Sequence, residues 1–269
     1  MTTPITTPAE SLLGCTLDGG WKVIERIALP PVATGGCFSV GYIAESQEGA
    51  RAFLKALDFS RAFSDPDPAR VLQAMTEAYN FERDLLKTCN AQKMDRIVRA
   101  IGDGSFRVGG TPHGGVVQYL IFELAERDIR LHLALAAAID TAWKLRSLHH
   151  IATGIKQLHA AGIAHQDLKP SNVLIFEGST SKIGDLGCAT VQGRVGPRDG
   201  LCYAGDPSYA PPELLYRYLD PNWNRRRFGC DLYLLGSMAM FFFTGFSSTA
   251  LLTSNLDPSV RYGVLGRHV

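Results

Sequence analysis

His165-Gln166-Asp167-Leu168-Lys169-Pro170-Ser171-Asn172-Val173-Leu174-Ile175-Phe176 carries more information than any other stretch of this 269-residue chain. It places a carboxylate, an ammonium and an amide at positions 167, 169 and 172, just ahead of the apolar run Val173 to Phe176. A second acid, Asp185, follows within Asp185-Leu186-Gly187. Moving a phosphoryl group onto a hydroxyl needs a carboxylate beside the nucleophile, a lysine for phosphate charge, and oxygen donors for a hard cation. A generic acidic loop supplies any one of these groups. All four in this order form a much narrower pattern.

The stretch resembles the catalytic loop and metal-binding turn of eukaryotic-type Ser/Thr protein kinases, in the form Asp-Leu-Lys-Pro-x-Asn. The resemblance runs from about Trp21 to Leu252. It implies an α+β, bilobal fold: a flexible arm over 1–20, a small antiparallel sheet lobe over 21–123, and a mainly helical lobe over 124–269. The implied cofactors are ATP and Mg2+, and the implied partner is a protein substrate accepting phosphate on Ser or Thr. Asp167 would orient the hydroxyl and take its proton, and Lys169 would neutralise charge on the transferred group. Asn172 and Asp185 would hold the metal. His165 is expected to be a packed residue bracing the loop and not a base.

Size and charge agree with this. Hydrophobic residues make up 46% and charged residues 20%, enough for one large domain or two lobes. A formal net charge of +1 gives no general pull toward nucleic acid or anionic membrane, so neither is expected as a partner. Met1 to Pro8 lacks the basic and apolar regions of a signal peptide. The densest apolar run, Met238 to Phe243, is far too short to span a bilayer. Six scattered cysteines without a Cys-x-x-Cys pair suggest no zinc site or disulfide framework, and a reduced, cytoplasmic setting is expected.

In the amino-terminal third, Trp21 to Ile27, Cys37 to Ala44 and Ala52 to Ala56 have strand character, separated by Gly/Pro-rich and charged breaks. Ala33 to Ala44 carries glycines that let backbone N–H groups approach phosphate, although a plain glycine hairpin reads the same way. By resemblance, Gly35, Gly36 and Phe38 contact the nucleotide, and Lys55 holds its α/β phosphates. Positions 71–88 show helical spacing, with Leu72, Met75, Tyr79 and Leu86 on related faces. Within that helix Glu82 is the expected partner of Lys55, with Glu77 second. The chain departs from the family pattern at Thr34 and Ser39 (glycines), Gly41 (a valine) and Phe53 (a small alanine facing adenine). A benzyl group at 53 is expected to intrude on the base unless its ring turns away.

Val116 to Leu124 reads as a buried strand. By resemblance it is the hinge, with Phe122 behind the adenine and the backbone of Glu123 and Ala125 bonding it. Leu145, Leu148, Ile151, Ile155 and Leu158 follow helical spacing, with a stop at Gly162. Gln166 stands where the family commonly has an arginine that binds a phosphate on the activation segment. Independence from phosphorylation there, including at Thr190 or Tyr203, is therefore expected. Gly205 to Glu213 resembles the substrate-docking turn and Ala-Pro-Glu motif, with Asp206 in place of a threonine and Pro211 in place of the alanine. Asp231 begins an apolar helix to about Thr244, where it either caps that helix or bonds the catalytic-loop backbone.

Only 24 residues follow Gly245. The reading is that the large lobe is C-terminally incomplete, Glu213 lacks its usual arginine, and Met238, Met240 and Phe241 to Phe243 are partly uncovered unless a missing region or partner chain covers them. Two other functions compete with catalysis of protein phosphorylation. Phe53, the eroded glycine loop and Asp206 suit a pseudokinase scaffold, and a small-molecule phosphotransferase is the third reading.

Overall fold

A computed structural model of the chain describes residues 7–27, 39–109, 115–135 and 139–261. It divides into two compact units, Met1–Asn90 with Arg99–Leu124, and Ala91–Val98 with Ala125–Val269.

The first unit is built on β1 (Lys22–Arg26), β2 (Ser39–Glu45), β3 (Arg51–Leu57), helix α1 (Pro68–Ala91), β4 (Ala100–Arg107) and β5 (Val116–Glu123). The strands form one antiparallel sheet in the order β1-β2-β3-β5-β4. Burial along β3 alternates, so Ala52, Leu54 and Ala56 point to the core while Phe53 and Lys55 point away from it. Directly opposed residues share a face. Tyr42 pairs Leu54 and Ile121 pairs Leu54 from the other side, which completes the apolar layer.

That layer is covered by a segment expected to be flexible. Residues 7–20 are not a loose arm: Ala9, Leu12 and Leu17 are buried in the same cluster as Tyr42, Leu54 and Tyr119. A short 3-10 turn, Pro8–Ser11, starts with the Thr7 N–H donating to Glu10 Oε2 at 3.0 Å. The Tyr42 hydroxyl donates to the Ala9 carbonyl at 2.7 Å. Polar threonines and prolines hid three apolar anchors, and those anchors supply the sheet's second layer. Strand β4 was not legible either, because glycines at 102 and 104 break its alternation.

The second unit contains β6 (Arg127–Asp128), α2 (Ile129–Leu135), α3 (Thr141–Ala160), β7 (Ile163–Ala164), β8 (Val173–Phe176), β9 (Thr180–Ile183), β10 (Thr190–Val191), α4 (Pro212–Leu215), α5 (Trp223–Thr244) and α6 (Ser248–Asn255). Small sheets β6-β8-β9 and β10-β7 hold the loops between α3 and α4. Residues 91–98, expected in the sheet lobe, belong to this unit. The Val98 N–H donates to the Ile183 carbonyl, and the Ile183 N–H to the Arg96 carbonyl, both at 2.8 Å.

Helix α3 is capped by Asp140, whose side chain accepts from the Ala142 N–H, and Gly162 follows its end with φ 70°. Its buried face is Ser147, Ile151, Gly154, Ile155 and Leu158, so Leu145, expected on the apolar stripe, is 56% exposed. Helix α5 begins eight residues before Asp231, because Asn222 is its cap and accepts from the Arg225 N–H at 3.1 Å. The capping reading of Asp231 is thereby corrected. Along α5, Arg227, Asp231, Leu234 and Met238 share the buried face. Met238 and Phe242, expected to be uncovered, are buried, whereas Met240 and Phe243 lie on the opposite, exposed side. No single helix among the described residues is long and apolar enough to cross a membrane.

Candidate active site

The catalytic loop of the second unit is hung from α5 and from its own histidine. Both oxygens of the buried Asp231 are engaged: Oδ2 accepts from the His165 N–H and Oδ1 from the Gln166 N–H, each at 2.8 Å. His159 Nε2 adds a contact of 2.9 Å to Oδ2. These bonds hold Gln166 in the left-handed region at φ 67°, a conformation that costs an L-residue of this kind roughly 1–2 kcal/mol. The His165 ring lies between the Gly184 carbonyl, 3.0 Å from Nε2, and the Asp167 N–H, 3.2 Å from Nδ1. A carbonyl needs a donor and an N–H needs an acceptor, so the ring is the neutral Nε2–H tautomer. Both nitrogens are used, and His165 ties the Asp167 loop to the strand end before Asp185.

The loop presents three of the expected side chains together. Lys169 Nζ lies 3.1 Å from Asp167 Oδ2, and Asn172 Nδ2 donates to the same oxygen at 3.0 Å and to the Asp167 carbonyl at 2.8 Å. Burial pushes the Asp167 carboxyl up, while Lys169 and the Asp206 N–H pull it back. Lys169 is held above the ordinary lysine range by Asp167, with Asp206 and Asp185 adding to it, against the opposing effect of burial. A carboxyl of raised basicity beside an ammonium suits proton removal from a hydroxyl. Asp185 is exposed, at φ 59°, with Oδ1 facing the Gly187 N–H at 3.4 Å.

The docking turn meets this loop through a backbone contact. The Asp206 N–H donates to Asp167 Oδ1 at 2.8 Å, and the Asp206 carboxylate stands 3.7 Å from Lys169. The backbone bond from Asp206 to Asp167 was not expected from the sequence. It is possible because residue 205 is glycine: a Cβ there would stand 2.8 Å from Asp167 Oδ1 and 2.5 Å from the Tyr203 hydroxyl, and would collide with the Gln166 carbonyl. The far side of the turn is pinned by α6, where the Ser247 and Thr249 hydroxyls donate to the Ser208 and Ala210 carbonyls at 2.7 and 2.8 Å. Glu213 is exposed.

The first unit holds the remaining expected groups. Lys55 Nζ donates to Glu82 Oε1 at 2.9 Å and Oε2 at 3.2 Å, from β3 to a buried turn of α1. Glu77, the second choice, is exposed and accepts from Gln73 instead. On the same sheet face, the Phe53 ring lies against Gly41: a Cβ at 41 would be 3.1 Å from Phe53 Cε2. The bulk added at 53 thus occupies room left by the missing side chain at 41. Phe122 is buried, with its ring centroid 6.2 Å from that of Phe53. The Glu123 N–H is committed to the Arg99 carbonyl at 3.0 Å. Ala125 is half-buried at the start of the second unit. Gly35, Gly36 and Phe38 lie outside the described residues.

The donor set fits a magnesium ion. Both Asn172 amide hydrogens are spent on Asp167, which presents the amide oxygen as its remaining polar atom. Among the described residues no three His, Cys, Asp or Glu side chains form a closed metal cage. Magnesium prefers a few protein oxygens completed by phosphate and water. Asn172 and Asp185 would hold it, and bound there it would supply charge neutralisation for a triphosphate.

A family model described as a protein kinase domain matches residues 52–254. The chain belongs to the protein kinase family. This kinase domain is 31% identical over 148 residues to the hormonally up-regulated neu tumor-associated kinase of Mus musculus, covering 53% of the chain and 20% of that protein. It is 40% identical over 118 residues to mitogen-activated protein kinase mpkC of Aspergillus oryzae, covering 44% and 31%. It is also 32% identical over 131 residues to the inactive serine/threonine-protein kinase PLK5 of Mus musculus, covering 47% and 20%. The aligned part therefore spans less than a third of these relatives' own length.

For a kinase domain, sequence reasoning missed Ser247, Thr249 and Arg227, and it gave Gly205 only as the start of the docking turn. Arg227 had a usable signal, since it lies four residues before Asp231 and so shares its helix face. The two hydroxyls had none, because serines and threonines at a helix start read as caps.

Proposed function

We propose that the chain catalyses ATP- and magnesium-dependent phosphoryl transfer to Ser or Thr hydroxyls of protein substrates. The observation that carries this reading is the convergence on one buried carboxylate, Asp167, of Lys169, Asn172 and the Asp206 N–H. Asp167 would orient the substrate hydroxyl and accept its proton. Lys169 would stabilise charge growing on the transferred oxygens, and the turn at 206–210 would align the substrate backbone. Lys55, oriented by Glu82, would take the α/β phosphates, and Asn172 with Asp185 would hold the cation.

Catalysis would not depend on phosphorylation of the activation segment. Gln166 offers no charge for a phosphate, Thr190 is fully buried, and the Tyr203 hydroxyl is buried as well. Loss of activity on phosphatase treatment, restored by modification of Thr190 or Tyr203, would contradict this.

A second reading, a binding scaffold without transfer, is favoured by the Phe53 ring on the sheet face that carries Lys55 and by the relative named inactive. Labelled ATP with magnesium and generic protein substrates separates the two. Transfer abolished by Asp185→Ala and by Lys55→Met supports the enzyme. Tight partner binding with neither transfer nor a nucleotide-induced thermal shift supports the scaffold.

A further inference from the structure

Arg227 lies behind the catalytic loop and is 1% exposed. A guanidinium so deeply buried needs hydrogen-bond partners and a counter-charge. Its Nη1 donates to Gln166 Oε1 at 3.2 Å, and its Nη2 donates to the Asp199 carbonyl at 3.3 Å. The same Nη2 stands 3.6 Å from Asp199 Oδ1, an ion pair rather than a hydrogen bond. Asp231 is the other acid near it, and Arg226 opposes it with like charge.

Gln166 completes a chain of contacts. Its Nε2 donates to the Arg227 carbonyl at 2.9 Å and to Asp231 Oδ1 at 3.1 Å. Asp231 in turn holds the backbone of residues 165 and 166, next to Asp167. On the segment side, Asp199 Oδ2 accepts from the Gly196 N–H at 2.7 Å, so the carboxylate also shapes the turn in which it sits.

We infer that Arg227 and Asp199 are positioning residues for phosphoryl transfer: an internal carboxylate on the activation segment binds a buried arginine of α5, and Gln166 relays that anchorage to the loop bearing Asp167. The inference rests on the proposed kinase activity and deepens it. A phosphate on the segment supplies an external anion for an arginine next to the catalytic aspartate. Here the anion is a fixed side chain, the arginine lies one helix away, and a neutral amide bridges the gap.

Asp199 is the residue to vary, because its side chain is 26% exposed and its removal leaves the core of the unit intact. Asp199→Asn keeps the size and removes the charge. Hydrogen exchange over 193–206 is expected to accelerate by roughly tenfold or more, as the segment opens locally. The transfer rate kcat is expected to fall by about tenfold with KM for ATP within about twofold, the mark of lost transition-state positioning. Asp199→Glu, which keeps the charge, is expected to recover most of both. Exchange and kcat that match wild type in Asp199→Asn would overturn the inference, as would equal effects of Asn and Glu. If wild-type protein transfers no phosphate, the kinase reading fails, and the exchange measurement still decides whether Asp199 anchors the segment.

Discussion

Replacing Gly205 by alanine tests how Asp167 is held. The φ of Gly205 lies outside the left-handed region, so alanine can adopt the local backbone and the whole effect is steric. The new Cβ would approach Asp167 Oδ1 to 2.8 Å and the Tyr203 hydroxyl to 2.5 Å while pressing into the Gln166 carbonyl. The tyrosine oxygen lies on the axis of its ring, so the buried Tyr203 side chain must shift as a whole. The carbonyl belongs to a backbone fixed by Asp231, and therefore the docking turn must retreat. Overpacking of this kind costs about 1–3 kcal/mol, which at roughly 2–4 °C per kcal/mol lowers the melting temperature by several degrees. Retreat also stretches the bond from the Asp206 N–H to Asp167, and a hydrogen bond to a charged group contributes about 1.5–3 kcal/mol. If that bond orients Asp167 in the transition state, kcat falls by roughly 10- to 150-fold. Steady-state transfer of labelled phosphate to a protein substrate reads the rate, with KM for ATP expected to stay near wild type, and calorimetry reads the stability. A variant indistinguishable from wild type in both would show that the turn does not support the Asp167 carboxylate.

Other perturbations probe the remaining links. Leu12→Ala removes a fully buried side chain from beneath the sheet and is expected to destabilise the first unit by about 2–5 kcal/mol in denaturant unfolding, whereas a flexible arm would give no change. Gly41→Val restores the family's residue but drives its branches into Phe53, so nucleotide affinity by calorimetric titration is expected to drop by roughly tenfold or more. Adding Phe53→Ala should recover it, and additive losses in the double variant would refute the volume exchange. The raised Asp167 carboxyl places the acid limb of kcat above the ordinary aspartate range of about 3.9. The linked stability has the opposite slope to that of an acid whose ion pair outweighs its burial. Because the native pKa is above the unfolded one, Asp167 favours folding at low pH, and that contribution disappears as pH rises from the ordinary value through the raised one. Subtracting the curve for Asp167→Asn from that of wild type should reveal this fall, and a difference that rises with pH would reverse the assignment.

The catalytic loop was legible because it is local. Asp167, Lys169 and Asn172 lie within six residues, and their spacing on a short turn already fixes which groups can meet. Glu82 as the partner of Lys55 was legible only through the resemblance of its helix to the family's, and the bidentate contact joins β3 to α1. The burial of Ala9, Leu12 and Leu17 was not legible, because only the apolar face of the sheet gives them something to cover. Asp231 was legible as important but not in kind, since capping and bonding a distant backbone use the same carboxylate.

By itself, then, the amino-acid order determined the family and the two-part α+β architecture, through motifs whose residue types stand at short, fixed separations, and it named candidates for the chemistry. Tertiary structure alone decided that residue 205 must lack a Cβ, that Phe53 fills the space above Gly41, and that Arg227 reaches Asp199 and Gln166. Apart from that of Gly205 with Tyr203, those contacts join positions 12 to 61 residues apart, and their distances are set by how strands and helices pack rather than by any pattern along the chain.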